Sequence, residues 1–180
     1  MDPLVVATFA IVALLEIIVP LALGYWFIRK FGLSWRVFGL GAIFFIVVQI
    51  FHAPLVLATQ NPLYLALLPS GTTAALAGLA LYLGLMAGLF EEIGRYLVYR
   101  YIFSRQNIPL TRENGLLFGT GWGGVESMIV ALVVLAGMLT YIVLTGDPGA
   151  IPLPDDPATQ AEIEAVQALT PLDKIGRAHV

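Results

Sequence analysis

Polar residues are so sparse along this chain that four long apolar runs, separated by short polar breaks, set its order. The runs extend from Leu4 to Ile28, Trp35 to Thr59, Thr72 to Tyr99 and Asn114 to Leu144. Each can cross a hydrocarbon core, which takes about 20 apolar residues. None alternates with the period of two that a membrane β-strand of about 10 residues would show. The pattern predicts an all-α fold, a polytopic transmembrane bundle with four spans in residues 1–145. The piece from Asn61 to Pro69 is apolar but too short to span. It reads as an interfacial segment or a re-entrant turn.

Composition agrees. Of 180 residues, 59% are hydrophobic and 12% charged, with a mean hydropathy of +0.89; a soluble domain carries about 25% charged residues. The net charge is −3 and no basic patch exists to neutralise phosphates, so the expected surroundings are a lipid bilayer and not nucleic acid. The absence of cysteine excludes disulfides and thiolate metal sites. Met1-Asp2-Pro3 lacks the basic start of a cleavable signal peptide.

Charge gives the predicted orientation. Arg29, Lys30 and Arg36 flank the first connection, and Arg100, Arg105 and Arg112 the third. The second connection, Asn61 to Gly71, is uncharged. After the fourth span come Asp147, Asp155, Asp156, Glu162 and Glu164, with no basic residue before Lys174. The positive-inside rule then predicts a multi-pass protein of the cell membrane with its N-terminus outside. Residues 146–174 form an extracytoplasmic acidic loop, with a short helix from about Ala158 to Leu169 capped by Asp156 or Thr159. Ile175 to Val180 back-translates into a widely used sequencing adapter. These residues are therefore expected to be adapter read-through, with the natural gene continuing into further spans.

Charges deep in a membrane helix are costly and mark function by default. The third run contains Glu91-Glu92-Ile93-Gly94-Arg95, and at 3.6 residues per turn Gly84, Gly88, Glu91, Glu92 and Arg95 share one face. Arg95 stands at pairing distance from both glutamates, and Gly84 and Gly88 form a step that admits a neighbouring backbone. The cluster is either an ion pair joining helices or, given the surplus carboxylate, a reactive site. In the fourth run Gly115, Gly119, Trp122, Gly123, Glu126 and Gly137 share a face. Counting from the basic borders, Glu91 is nine residues from Arg100 and Trp122 ten from Arg112, which puts both roughly 15 Å deep. Glu126, Glu16 and Gln49 lie about a turn further, and His52 a turn beyond Gln49. These levels predict a polar cavity among the helices. Glu16 reads as a catalytic group or as a carboxyl bonded across helices near the backbone gap at Pro20; His52 reads as a catalytic group or a neutral donor at Pro54. No zinc-motif spacing is present, and no metal or other cofactor is predicted. Paired carboxylates at low dielectric suit water activation, one as general base and its partner as acid. Thr120, Ser127, His52 or Trp122 are candidate oxyanion donors.

Glu-Glu-Ile-Gly-Arg at 91–95, followed one span later by Phe-Gly-Thr-Gly-Trp-Gly-Gly-Val-Glu-Ser at 118–127, resembles the YhfC-like family of glutamic-type intramembrane proteases. That family is similar to type II CAAX prenyl proteases, PrsW-like proteases and the Aph scaffold subunit of gamma-secretase. The resemblance implies an endopeptidase that cleaves membrane proteins or peptides, with Glu91 activating water. Glu92 would be its partner, Arg95 would fix their geometry, and Glu126 would assist; Trp122, His52 and Glu16 are possible supporting residues. Where relatives carry a second motif F-x-x-x-H, this chain has Phe118 and Trp122, and a later histidine motif is absent. The fragment is thus expected to be incomplete, with part of the site in spans that follow it. The alternatives are a non-catalytic scaffold of the Aph type and a proton-coupled transporter.

Overall fold

In the computed structural model, residues 2–67 and 72–145 are described, and among them the secondary structure is helical, with no strand. The order is α1 (Pro3–Phe31), α2 (Trp35–Leu67), α3 (Thr73–Leu97) running directly into a π-helical segment (Val98–Phe103), and α4 (Arg112–Thr145). All four long helices are apolar and long enough to span a membrane. The acidic loop with its short helix and the six terminal residues lie outside the described residues.

Each helix starts on a small polar residue that accepts from an amide of the first turn, the N-cap role. Asp2 Oδ1 accepts from Leu4 N, Ser34 Oγ from Arg36 N, Thr72 Oγ1 from Ala75 N and Thr111 Oγ1 from Asn114 N. Two helix ends are closed by left-handed residues. Gly32 has φ 65° and Leu33 N reaches back to Ile28 O at 3.2 Å. Asn107 has φ 52°, with Ile108 N bonded to Phe103 O and Asn107 N to Ser104 O, a Schellman closure. Pro109 then bars continuation, and Asn114 Nδ2 donates to its carbonyl at 3.0 Å.

The second helix departs from expectation. The segment predicted as an interfacial or re-entrant piece continues α2 through Pro62 to Leu67. Proline at 62 removes only the bond to the Ala58 carbonyl, and membrane helices tolerate such a gap where water or neighbours satisfy the freed group. At 33 residues, α2 is about 50 Å long, well beyond a hydrocarbon core of about 30 Å.

The chain divides into two units, Met1–Leu23 with Gly124–Val180, and Gly24–Gly123. In the first, α1 and α4 run antiparallel: Asp2 N donates to the Tyr141 hydroxyl at 2.9 Å, and Ser127 meets Glu16. Val5, Phe9, Ala13, Ala131, Val134 and Tyr141 form its apolar core.

The second unit is built on close approach. Lipid is as apolar as leucine, so helices there associate through tight contact and hydrogen bonds. A Cβ placed on Gly41 would strike the Phe118 carbonyl and lie 2.7 Å from Trp122 N; one on Gly121 would strike the Phe38 carbonyl. These two glycines let α2 and α4 touch backbone to backbone. Gly94 admits Val48 of α2 and Trp122 of α4 to the same point on α3, with an added Cβ 2.5 Å and 3.1 Å from them. Pairs of α2 with α3 follow in antiparallel order: Val48 with Gly94, His52 stacked on Phe90, and Thr59 bonded to Tyr82. The glycines expected to form grooves behave differently, since an added Cβ at Gly84, Gly88, Gly115, Gly119 or Gly123 meets nothing within 4 Å.

The two sets of glycines should therefore separate under substitution. Gly41→Val and Gly121→Val overlap backbone atoms that cannot rotate away, so each should cost at least the ~1–3 kcal/mol of an overpacked core. Gly84→Ala and Gly88→Ala should be neutral or slightly stabilising through helix propensity. Denaturation of the purified chain in detergent measures both; equal effects for the two sets would contradict the packing described.

Candidate active site

Glu91, Glu92 and Arg95 stand within one turn of α3. Arg95 Nη1 donates to Glu92 Oε1 at 2.6 Å, and Nη2 donates to Glu91 Oε2. Both ion pairs lie within α3, at i,i+3 and i,i+4, so neither of them ties one helix to another. The Glu91 side chain is 19% exposed and Arg95 30%, whereas Glu92 is 71% exposed. Glu91 is thus the enclosed carboxylate, held through Oε2, while its Oε1 accepts no hydrogen bond among the described residues.

Arg95 is itself positioned. Its guanidinium lies over the Trp122 indole, 5.3 Å from the ring centroid, an attraction of about 0.5–2 kcal/mol depending on desolvation. Trp122 is 2% exposed, with Phe45 edge-on at 5.8 Å and Phe118 at 5.8 Å. Its Nε1 is buried and meets no acceptor among the described residues, a condition that costs about 1–3 kcal/mol. This tryptophan is a platform under the arginine.

The other predicted residues have their own settings. His52 bonds Gln49 Oε1 through Nδ1 at 3.0 Å and stacks on Phe90 at 5.0 Å, while its buried Nε2 has no partner. The expected role as a donor at the Pro54 step is replaced by this contact within α2. In the first unit, Ser127 Oγ donates to the Glu16 carbonyl at 2.9 Å and also meets Glu16 Oε2. That carbonyl is the one Pro20 cannot bond, four residues along α1. Ser127 thus closes the backbone gap that proline opens, and Glu16 takes part in that repair. Glu126 is an exposed residue of the same unit, one position before Ser127. Thr120 bonds back to the Leu116 carbonyl, so its hydroxyl proton is already committed.

Sequence reasoning missed the π-helical segment immediately after the triad. Gly94, Val98 and Phe103 are buried, a step of four followed by a step of five. In a continuous α-helix five residues turn the chain about 140° off the starting face; the π turn keeps Phe103 inward, against Tyr99 and Phe118. Such segments interrupt helices frequently at functional sites. No periodicity in the tyrosine-rich stretch signals it, whereas the pairing of Ser127 with the Pro20 gap was open to complementarity reasoning.

An all-helical membrane protein with a charged triad inside a spanning helix is the class these features define. Residues 11–173 match the YhfC intramembrane metalloprotease family, and the chain belongs to that family. It is 32% identical over 136 residues to the uncharacterized membrane protein YhfC of Bacillus subtilis (strain 168), a match covering 69% of this chain and 46% of the relative. The chain thus spans about half the length of that relative. No solved structure matches it.

The family's description implies a metal, and a catalytic zinc takes three protein ligands. Among the described residues no three His, Asp or Glu side chains come together as ligands. His52 Nε2 offers a buried lone pair, but both α3 carboxylates are held by Arg95, whose guanidinium competes with a cation for the same oxygens. The described residues do not by themselves fit a catalytic metal.

The triad predicts a sign reversal in stability. Arg95→Gln leaves two adjacent carboxylates unneutralised and should lower stability by about 2 kcal/mol, below the figure for a fully buried pair because the side chains are partly exposed. Adding Glu91→Gln to that variant should recover stability, whereas strictly additive losses in detergent denaturation would show that the charges are uncoupled.

Proposed function

We propose that the full-length protein is an intramembrane endopeptidase in which Glu91 takes the proton from a water molecule that attacks a peptide carbonyl of a membrane protein or peptide. The observation that carries this reading is the intrahelical triad. Both of its ion pairs stay within α3, so neither carboxylate is used to join helices, and it fixes one oxygen of Glu91 while leaving Oε1 to accept from water. In the reaction, water oxygen bonds to the carbonyl carbon as Glu91 accepts its proton. The C–N bond then breaks, and the proton passes to the leaving nitrogen, giving a carboxylic acid and an amine. Glu92 acts as the partner carboxylate and Arg95 as the positioning residue. The N-terminus faces outward from the cell membrane, as the distribution of arginines supports.

This differs from the metal chemistry in the family's description, and the two readings separate cleanly. In the full-length protein, Glu91→Gln should lower cleavage of a membrane substrate by roughly 10³-fold, within the range for a general base, without changing assembly. Activity should survive a membrane-permeant chelator. Loss of activity on chelation, restored by zinc, would replace the water-activating glutamate with a metal mechanism. Normal cleavage by Glu91→Gln would remove Glu91 as the base. Wild type without proteolysis would favour the Aph-type scaffold if Glu91→Gln weakens assembly, or a proton relay if a pH gradient drives uptake in proteoliposomes.

A further inference from the structure

The second unit contains a cavity that the proteolytic reading does not use. It measures about 550 Å³ and lies where the π-helical segment meets the start of α4, lined among others by Tyr96, Tyr99, Arg100, Thr111 and Arg112. Arg100 and Arg112 reach it from opposite sides of the α3–α4 connection, and neither has an ion-pair partner among the described residues. Glu113, the acidic residue of the first turn of α4, is not part of the lining. Arg100 also lies over the Tyr101 ring, 5.9 Å from its centroid, a contact that leaves the donors of both guanidiniums without a carboxylate; such fork-shaped donors bind phosphate oxygens.

The remaining wall is apolar. Phe103 is fully buried, while Leu110 at 72% and Tyr96 at 62% exposure form the rim. A free phosphate has no use for such a wall; a lipid, with an anionic head and an acyl chain leaving beside it, uses both. The position agrees, because the arginines mark the end of the apolar run, the level at which headgroups lie. The Schellman closure at Asn107 and the Asn114–Pro109 bond hold the connection in shape, and both arginines line the one cavity beside it. We infer that this cavity binds the phosphate headgroup of an anionic phospholipid between Arg100 and Arg112. This inference is independent of whether the protein cleaves peptides.

Native mass spectrometry of the 180-residue chain, released from vesicles of phosphatidylglycerol and phosphatidylcholine with identical acyl chains, tests it. One phosphatidylglycerol should be retained in preference to phosphatidylcholine. The Arg100→Gln/Arg112→Gln variant should reduce that retention by roughly tenfold. Arg100→Lys/Arg112→Lys should keep part of it, and Arg36→Gln, at the other basic connection, should keep all of it. Millimolar inorganic phosphate should not displace the lipid. Equal retention of the two lipids, or full retention in the double glutamine variant, would overturn the inference. Displacement by inorganic phosphate would reassign the cavity to a free anion, and preferential capture of an acidic peptide would reassign it to a protein segment. If the double glutamine variant fails to fold, the lysine variant decides alone: retention equal to that of an Arg36→Gln/Arg105→Gln control would exclude recognition by the guanidinium fork.

Discussion

The geometry around the α3 carboxylates depends on the space left by three absent side chains. Gly41 and Gly121 bring the backbones of α2 and α4 into contact, and Gly94 lets Trp122 and Val48 press against α3 at the turn that carries the charges. In lipid no hydrophobic gain draws these helices together, so the dispersion energy of close approach carries more of the load than in water. Trp122 is where the approaches converge, meeting Phe45 of α2, Phe118 of its own helix and Arg95 of α3. A larger residue at any of the three glycines would move the indole and with it the arginine.

That arrangement decides how the charges are tolerated. Arg95 bonds both carboxylates and rests on an aromatic face, so its charge is neutralised on one side and polarises the ring on the other. An arginine that holds a carboxylate through a single oxygen restricts its rotation yet leaves the second oxygen to address a reactant.

Four spans and the EEIGR face were legible in the sequence because they rest on length, hydropathy and the 3.6-residue period, which tertiary context does not alter. The pairing of Arg95 with both glutamates follows from the same spacing. The roles of glycine were not legible. Gly84 and Gly88 fit the small-xxx-small pattern yet face open space, whereas Gly41 and Gly121 each act through a partner on another helix. The continuation of α2 past Pro62 was missed for a related reason: proline's effect depends on what satisfies one carbonyl, and a membrane helix near its end has several ways to do so. The resemblance singled out Trp122 by its place in the Phe118-to-Trp122 motif, but its service under Arg95 depends on packing against the neighbouring helix.

The π-helical segment connects these features. Had α3 continued with α-helical pitch, Phe103 would have turned away from Phe118, and the aromatic stack from Phe103 through Phe118 to Trp122 would be broken. The step of five between Val98 and Phe103 keeps the stack continuous to the end of the helix and sets Tyr99 against Phe118. Arg100, within the same segment, lines the cavity that Arg112 of α4 also lines. One local change of pitch therefore serves both ends of the helix. Above it, the packing that supports Arg95 stays intact; below it, two arginines are held apart from the triad at the level where the helix leaves the membrane core. A substitution that restored α-helical pitch should disturb both together, because both rest on the same turn.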